Sequence, residues 1–182
     1  MISKNGDCQM NRAIFLDRDG VIVKDNGYVH KIEDLYIIDG AVEAIKNLNS
    51  AGFLVIVISN QAGIARGYFR EEDAEKFNNE IIKRLKQLGA YINAVYFCPH
   101  HPTEGKIKKY SIVCDCRKPA PGMILKAAKD HKIDLRYSWM IGDRNSDIEA
   151  GKNAGCNTLM IGKDTKNIKQ AAEIILNGNK LK

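Results

Sequence analysis

The 182-residue sequence predicts an α/β protein: a three-layer, Rossmann-like arrangement of a parallel sheet with helices on both faces. Three observations support this fold class. Short apolar runs alternate with segments whose apolar residues recur at helical spacing, which is the pattern of repeated βαβ units. The runs have the length and composition of buried strands. Several of them stop at polar residues, as expected where parallel strands end at a ligand site.

Five strands and five helices are predicted in order along the chain. The predicted strands are the apolar runs 13–16, 54–58, 94–97, 138–141 and 157–161. The predicted helices cover residues 40–51, 70–88, 122–131, 146–154 and 166–177. The segment 98–121 has little periodicity and is predicted as a long loop. Residues 1–11 are predicted as a flexible extension and residues 12–182 as a single domain.

Composition narrows the possible functions. No apolar run approaches the roughly 18 residues of a membrane span, and the polar N-terminus lacks the apolar core of a signal peptide, so a cytoplasmic protein is expected. The five cysteines are odd in number, which argues against a disulfide framework. The net charge of +6 is typical of a solvated surface or of a basic mouth for an anionic substrate. Local clustering favours the basic mouth, at Lys106, Lys108, Lys109, Arg117 and Lys118.

Two aspartates follow the first predicted strand directly. Asp17 and Asp19 lie two residues apart in Asp17-Arg18-Asp19-Gly20. Carboxylates this close need a cation or a shared proton. Oxygen ligands suit Mg²⁺, which binds one or two carboxylates together with a substrate phosphate. A plain Asp-Gly turn is the alternative interpretation of this motif alone.

Three more polar motifs follow later strands or the long loop. Ser59 follows the second predicted strand, Lys118 ends the long loop, and Asp143 follows the fourth strand with Asp147 one helical turn beyond. The hydroxyl can hold a phosphoryl oxygen, the ammonium can neutralise phosphoryl charge, and the carboxylate can bind a metal. Taken singly, each motif is more typical of a capping serine, a solvated lysine or a Gly-Asp turn.

The four motifs together, in this order, resemble those of the haloacid dehalogenase superfamily: Asp-x-Asp, Ser or Thr, Lys, and Gly-Asp-x-x-x-Asp. The resemblance covers nearly the whole predicted fold and implies a Mg²⁺-dependent phosphatase. It implies that Asp17 is the nucleophile and forms an aspartyl-phosphate, while Asp19 is general acid and then general base. Ser59 and Lys118 would hold the phosphoryl group. The implied Mg²⁺ ligands are Asp17, the backbone carbonyl of Asp19, and Asp143.

A cysteine- and histidine-rich pair of motifs in the long loop suits a tetrahedral structural Zn²⁺. The predicted ligands are Cys98, His100, Cys114 and Cys116, with His101 as the alternative fourth ligand. The spacing is tighter than the usual Cys-x₂-Cys, so free thiols beside a surface histidine pair are the alternative. A closed four-ligand site has no open position for catalysis. Zinc would instead order a long polar loop that leads directly into Lys118.

Similarity to a narrower family rests on five stretches: 15–20 (FLDRDG), 27–30 (GYVH), 59–67 (SNQAGIARG), 98–102 (CPHHP) and 114–119 (CDCRKP). Together they resemble the D-glycero-D-manno-heptose 1,7-bisphosphate 7-phosphatases. The resemblance implies substrate contacts from Asp25, Asn26, Gly27, Tyr28, Asn60, Gln61, Ala62, Arg66, Arg117 and Arg144. Arg117 is the candidate for the phosphate that stays on C1, because a guanidinium fork matches phosphate geometry. Ser59 stands where that family frequently has Thr, and Arg144 where it often has Lys.

Specificity is predicted to come from loops, because the chain has no room for a large cap domain. The loops expected to determine specificity are 25–34, 62–70 and the zinc-bound loop. We therefore predict an open site, and we predict a monomer. Histidinol-phosphate phosphatases share the aspartate motifs and the zinc loop, and an acidic pocket would favour their substrate. A basic pocket built from Arg66, Arg117 and Arg144 favours the sugar bisphosphate.

A non-enzymatic zinc module that binds nucleic acid is the second alternative function. It requires neither Asp17 nor a cavity, and few aromatic residues accompany the lysines. We therefore expect a small-molecule substrate, with no nucleic-acid partner and no membrane.

Overall fold

A computed structural model describes residues 10–178 and contains one five-stranded parallel sheet with the strand order β3-β2-β1-β4-β5. The strands are β1 (Ala13–Leu16), β2 (Leu54–Asn60), β3 (Ala94–Cys98), β4 (Trp139–Gly142) and β5 (Asn157–Met160). The helices are α1 (Ala41–Ser50), α2 (Ala62–Ala65), α3 (Glu71–Gln87), α4 (Gly122–His131), α5 (Asn145–Ala154) and α6 (Ile168–Gly178).

Side chains of β1 show how the two hydrophobic layers form. Ile14 and Leu16 pack with α1, α3 and α6, whereas Ala13 and Phe15 pack with α4 and α5 on the opposite face. This division follows from the two-residue period of a strand. All four side chains are fully buried. The predicted three-layer fold with helices on both faces is confirmed.

The order of the strands determines where a ligand can bind. β1 lies between β2 and β4, so the direction of strand order reverses at β1. In open parallel sheets, the crevice beyond the carboxyl ends of the strands at such a point is the usual ligand site. The Asp17 N–H donates to the carbonyl of Ile141 at 2.9 Å, so the residue after β1 is still tied to β4.

The main differences from the predicted elements lie at the carboxyl end of β2. The strand continues through Ser59 and Asn60, because these residues pair with Phe97 and Cys98 of β3. Its polar residues therefore belong to the strand itself instead of to a following turn. The short helix α2, which the sequence did not predict, begins two residues later at Ala62.

The N-terminal segment is described only from Met10 onward, so residues 1–9 of the predicted flexible extension lie outside the described residues. Asn11 forms a parallel bridge with Ile133. Its N–H donates to the carbonyl of Lys132 at 2.8 Å, and its carbonyl accepts from the N–H of Asp134 at 2.9 Å. The last residue of the predicted extension is thus joined to the segment between α4 and β4.

The connections between strands carry no large cap domain between residues 10 and 178, as the sequence predicts. The long loop after β3 instead folds back over α2, where the N–H groups of Lys106 and Ile107 donate to the carbonyl of Ala65 at 2.7 and 3.0 Å. None of the helices in this part of the chain is long and apolar enough to cross a membrane.

Candidate active site

Asp17 lies at the carboxyl end of β1 and is only 6% exposed. Its Oδ1 accepts from the backbone N–H of Arg18 at 2.8 Å and lies 2.9 Å from Nζ of Lys118. Both contacts hold this oxygen in a fixed position. A buried, oriented carboxylate of this kind is suited to act as a nucleophile.

Lys118 is the cation at the centre of this arrangement. Its Nζ contacts Asp17 Oδ1 at 2.9 Å, Asp147 Oδ1 at 2.6 Å and the carbonyl of Ile58 at 2.8 Å. Burial alone would lower the pKa of Lys118, but the charges of Asp17 and Asp147 outweigh it and raise the pKa above its ordinary value. The ammonium therefore stays charged beside the nucleophile.

Asp17, Asp143 and Asp147, named here the carboxylate cluster, each bring an oxygen within 4.8 Å of the others. Burial, followed by the charges of Asp17 and Asp147, raises the pKa of Asp143 to about 6. Asp143 Oδ1 is buried and lacks a hydrogen-bonding partner within residues 10–178. An unsatisfied oxygen among close carboxylates fits the oxygen-ligand chemistry of Mg²⁺.

Two glycines give the carboxylate cluster its space. A Cβ on Gly20 would lie 2.2 Å from Asp143 Oδ2, and Gly20 also has a positive φ of 81°. A Cβ on Gly142 would lie 2.2 Å from the Cβ of Asp147. The glycines that follow Asp-x-Asp and precede Asp143 are therefore required by close approach, and at Gly20 also by the left-handed backbone.

Asp19 is held by two side chains. Arg18 Nε and Nη2 donate to its Oδ1 and Oδ2, each at 3.0 Å, and Gln61 Nε2 donates to Oδ2 at 3.0 Å. Burial raises the pKa of Asp19 above its ordinary value, Arg18 works against this, and the charge of Asp17 adds to it. Asp17 and Asp19 thus occupy different environments, which is the condition for one carboxyl to act as nucleophile and another as acid or base.

Ser59 is 1% exposed and is connected to Asp19 through Gln61. Gln61 Nε2 donates to Ser59 Oγ at 2.7 Å as well as to Asp19. Because the serine oxygen accepts this bond, its own O–H can still donate, although Ser59 itself does not line the cavity of this site.

A cavity of about 380 Å³ opens above these residues. It is lined by Asp17, Asp19 and Lys118 and by most of the predicted substrate residues: Asp25, Gly27, Tyr28, Asn60, Gln61, Ala62, Arg66, Arg117 and Arg144. Asn26 is exposed in the same turn but does not line the cavity. We call Arg66, Arg117 and Arg144 the rim, because they are the arginines that line the cavity and each is more exposed than Asp17.

The rim arginines are each anchored by a contact within the chain. Arg144 Nη2 donates to Asp25 Oδ2 at 2.7 Å, and Arg117 Nη1 donates to the carbonyl of His100 at 3.1 Å. Arg66 pairs with Glu104 and lies over the Tyr28 ring, 5.4 Å from its centroid. The contacts hold the guanidinium groups around the opening while each retains further donors.

Asn60 has a structural contact that its sequence position does not suggest. Its Nδ2 donates to the carbonyl of Lys118 and its Oδ1 accepts from the Lys118 N–H, both at 3.0 Å. This reciprocal pair attaches the end of the long loop to the end of β2. Asn60 therefore positions the lysine, in addition to lining the cavity.

The four predicted zinc ligands meet in one place, named here the thiol cluster: Cys98, His100, Cys114 and Cys116. Cys116 Sγ lies 3.1 Å from both other sulfurs and 3.3 Å from His100 Nδ1. Three sulfurs and one imidazole nitrogen in close contact are the donor set of a structural zinc site. His101, the alternative ligand, instead uses Nδ1 to accept the N–H of Glu104 at 3.0 Å.

Comparison with known proteins adds independent information. Residues 115–179 match the Hydrolase_like family model, described as "HAD-hyrolase-like". The chain is 45% identical over 159 residues to the D-glycero-beta-D-manno-heptose-1,7-bisphosphate 7-phosphatase of Pasteurella multocida (strain Pm70), covering 87% of this chain and 85% of that protein. It is 44% identical to the D-glycero-alpha-D-manno-heptose-1,7-bisphosphate 7-phosphatase of Burkholderia mallei, covering 91% of this chain and 88% of that protein.

A solved structure agrees with these relatives. The D,D-heptose 1,7-bisphosphate phosphatase from B. bronchiseptica, complexed with magnesium and phosphate, superposes with a TM-score of 0.79 at 28% identity. The match covers 92% of this chain and 99% of that one.

Fold, carboxylate cluster and relatives define the class of this protein as a magnesium-dependent HAD-like phosphatase. Identity above 40% over most of both chains narrows the class further. The chain belongs to the D-glycero-D-manno-heptose 1,7-bisphosphate 7-phosphatase family, as its sequence motifs predict.

Sequence reasoning assigned nothing to Arg18 or Asn78, although both side chains are buried beside the site. An arginine between two aspartates looks like an exposed loop residue, and Asn78 lies within a helix far from any motif. Asp147 was recognised only by its spacing from Asp143, and its contact with Lys118 was not predicted. These contacts join distant parts of the chain, so local sequence carries no signal for them.

Proposed function

We propose that this chain hydrolyses the C7 phosphate of D-glycero-D-manno-heptose 1,7-bisphosphate and leaves heptose 1-phosphate. The main observation in support of this proposal is that one cavity combines a buried Asp17–Lys118 pair with three rim arginines. Such a cavity suits a small molecule with two anionic ends, one at the reacting position and one at the opening. Relatives acting on either anomer are almost equally similar, at 45% and 44% identity.

In the first half of the proposed reaction, an Asp17 carboxylate oxygen attacks phosphorus. A bond from Asp17 to phosphorus forms, and the bond from phosphorus to the C7 oxygen breaks. Lys118 and the Ser59 hydroxyl hold phosphoryl oxygens and neutralise their charge. Asp19 enters this step protonated, a form that its raised pKa favours, and gives its proton to the departing C7 alkoxide.

In the second half, Asp19 is ionised and acts as the general base. It takes a proton from a water molecule, whose oxygen attacks phosphorus as the bond to Asp17 breaks. Inorganic phosphate leaves and Asp17 returns to its carboxylate form. Gln61, which contacts both Ser59 and Asp19, keeps the phosphate-binding hydroxyl and the acid–base group in fixed relation.

Magnesium would be held by Asp17, Asp143 and the backbone carbonyl of Asp19. The unsatisfied Asp143 oxygen and the close carboxylates support this ligand set. When bound, the ion would neutralise phosphoryl charge. Asp147 contacts Lys118 on one oxygen and accepts the Arg144 N–H on the other at 3.0 Å, so its carboxylate positions other groups.

Zinc would be held by the thiol cluster as a structural ion. The sequence continues from Cys116 directly to Arg117 and Lys118, so ordering the cluster also orders two side chains of the cavity. Burial raises the pKa of Cys116 to about 11, so its thiolate form depends on a bound cation. We expect about one zinc ion per chain, and metal analysis of a folded, active preparation that finds none would rule this site out.

A histidinol-phosphate phosphatase is the second candidate, because that family shares the same motifs. Its substrate carries a cationic amine, which an acidic opening would favour. Two acidic side chains contact the rim: Asp25 is paired with Arg144, and Glu104 is paired with Arg66. The surplus of arginine on the rim therefore favours the bisphosphate.

The test is phosphate release with Mg²⁺ from both anomers of the heptose bisphosphate and from histidinol phosphate. We expect kcat/KM for one bisphosphate anomer to be higher by about tenfold or more, equivalent to roughly 1.4 kcal/mol. Replacing Arg117 with Met should reduce that preference while histidinol phosphate is affected less. A preference for histidinol phosphate would contradict the proposed substrate and leave the aspartyl-phosphate chemistry in place.

We further propose that residues 12–182 act as a single catalytic domain, as a monomer in the cytoplasm, without a nucleic-acid partner. The odd number of cysteines, three of them gathered in the thiol cluster, argues against a disulfide framework and is typical of a reducing compartment. Sedimentation at micromolar concentration tests the monomer, and a salt-sensitive DNA or RNA affinity that survives Asp17→Asn would contradict the absence of a nucleic-acid partner.

A further inference from the structure

Arg18 is among the most buried side chains of the protein, at 1% exposed. Its guanidinium makes five hydrogen bonds: to Asp19 Oδ1 and Oδ2, each at 3.0 Å, to the Val29 carbonyl at 2.8 Å, to Gln61 Oε1 at 3.2 Å and to Asn78 Oδ1 at 3.1 Å. An arginine is expensive to bury even when paired, and apolar residues often replace buried ion pairs without loss of stability. We therefore expect that Arg18 has a role in the function of the site and is not there for stability alone.

The direction of this network is determined by its chemistry. Arg18 can only donate, so the Gln61 atom facing it must be the amide oxygen. The Gln61 nitrogen then points to Asp19 and Ser59, as the distances of 3.0 and 2.7 Å show. Arg18 thus orients Gln61, and through it both ends of the hydrogen-bond chain that joins Asp19 to Ser59.

The fork of Arg18 restricts Asp19 more than a single bond would. Nε donates to Oδ1, and Nη2 donates to Oδ2 while also lying 2.9 Å from Oδ1, so two guanidinium nitrogens hold both carboxylate oxygens and restrict the position and the plane of the group. A general acid must lie within hydrogen-bonding reach of the leaving oxygen, and small misplacements are costly. Without these contacts, the carboxylate of Asp19 could rotate out of this plane.

Helix α3 holds the other side of the guanidinium. Asn78, 5% exposed, accepts from Nη1, and the Phe77 ring lies under the guanidinium carbon at 4.8 Å from the ring centroid. Both residues are adjacent on α3 and are otherwise remote from the cavity. The geometry of the acid–base group is thereby connected to a helix that contributes no residue to the cavity lining.

We propose that Arg18 is the positioning residue of the Asp19 acid–base group, and that Asn78 holds Arg18 in place from α3. This inference rests on the proposed function, in which Asp19 protonates the C7 oxygen. Arg18 reaches neither phosphorus nor the leaving group; it acts through the orientation of Asp19 and Gln61.

The test uses two substrates that need the acid to different degrees. A sugar phosphate leaves as a strongly basic alkoxide, which requires a proton, whereas nitrophenolate from p-nitrophenyl phosphate leaves without one. The value of kcat/KM reports steps up to phosphorylation of Asp17, where this difference acts. Arg18→Met should lower kcat/KM by about 100-fold for the sugar bisphosphate, within the range general acid catalysis contributes, and by less than about tenfold for p-nitrophenyl phosphate.

The same comparison of two substrates can be made with Asn78→Ala, which does not remove a buried charge. It should lower kcat/KM for the sugar bisphosphate by about tenfold and for p-nitrophenyl phosphate by less than about twofold, which is a fraction of the general-acid contribution. Asn79→Ala is the matched control, since Asn79 is exposed on the same helix, and it should leave both values unchanged. The activities of Arg18→Met are compared only if its melting curve shows a folded protein. If that variant does not fold, the activities of Asn78→Ala decide whether Arg18 positions Asp19.

Two outcomes overturn the proposal. A parallel loss with both substrates would show that Arg18 and Asn78 only support the fold, and an unchanged Asn78→Ala enzyme would show that α3 does not hold the acid. A wild-type protein that hydrolyses neither substrate would instead contradict the proposed function itself. A selective loss with the sugar phosphate supports the positioning of Asp19.

Discussion

The carboxylate cluster and the thiol cluster both gather metal-binding side chains within 4.8 Å, but they are built on different supports. Asp17 and Asp143 follow directly on neighbouring strands β1 and β4, whose pairing fixes their separation. Three members of the thiol cluster, His100, Cys114 and Cys116, lie on a long loop with little regular structure.

The two clusters also differ in what balances their charge. The carboxylate cluster has its own cation, because Lys118 contacts both Asp17 and Asp147. Within residues 10–178 no lysine or arginine side chain pairs with the thiols of the thiol cluster, and these thiols must lose protons before they can bind a metal. We infer that the carboxylate site keeps its shape without Mg²⁺, whereas the loop needs its metal for order.

The largest expected effect comes from Asp17→Asn. The amide keeps the shape of the side chain but cannot attack phosphorus, so kcat should fall by more than about 10³-fold. The fold should persist, since the sheet and Lys118–Asp147 contact remain. The measurement is single-turnover phosphate release together with a melting curve, with Asp34→Asn as an exposed control. Retained turnover in a folded Asp17→Asn protein would refute the nucleophile.

Lys118→Met tests whether the carboxylate cluster depends on its internal cation. We expect kcat to fall by about 10²–10³-fold, as for removal of one group that stabilises the transition state. The three carboxylates would then repel one another without compensation, so the increase in melting temperature on adding Mg²⁺ should become larger than in the wild type. An unchanged Mg²⁺-dependent increase would argue against this shared charge balance.

Cys116→Ser tests whether the thiol cluster depends on a metal. Loss of zinc should leave the loop poorly ordered and lower activity by about tenfold, because outer positioning around a site typically accounts for 10- to 100-fold. Zinc content and kcat are measured together. Cys156→Ser is the control: Cys156 is a cysteine outside the thiol cluster, so zinc content should remain at its wild-type value. Equal zinc content in both variants would exclude Cys116 as a ligand.

The smallest expected effect is the pH dependence of Mg²⁺ stabilisation. The pKa of Asp143 is raised to about 6, above the unfolded value of about 3.9, so this group takes up a proton on folding between these values. The metal-free protein should therefore gain stability from Asp143 as the pH falls from about 7 to about 4. The stabilisation by Mg²⁺ should shrink over the same range, because the ion binds the ionised carboxylate.

Melting curves with and without Mg²⁺, between about pH 5.5 and pH 7.5, measure both trends. Asp143→Asn should make the metal-free melting temperature less dependent on pH and reduce the Mg²⁺-dependent increase. A Mg²⁺-dependent increase that is the same at both ends of the pH range would contradict the raised pKa.

Much of the fold could be predicted because strands and helices depend on patterns within short stretches of sequence. Buried strands need apolar runs, and helices against a sheet need apolar residues at helical spacing, so all five strands were located to within two residues at each end. The end of β2 was misjudged because Ser59 and Asn60 are polar, and their strand geometry comes from pairing with β3. The four-residue helix α2 is too short to show a periodic pattern.

The candidate site was only partly predictable, for the same reason. Asp17, Asp19 and Asp143 could be located because they follow predicted strands, and the cysteines because of their close spacing. The choice between His100 and His101 depends on which ring turns towards the sulfurs. Asn60 was predicted as a substrate contact, but its attachment to the Lys118 backbone joins residues 58 positions apart.

The sequence by itself determined the α/β class, the order of the motifs and the side chains that meet beyond the strand ends, because each follows from composition and short-range spacing. Tertiary structure alone decided that Arg18 is buried, that Lys118 lies between Asp17 and Asp147, and which histidine joins the thiols. These outcomes depend on long-range packing, in which a charged residue is buried only where distant partners satisfy it.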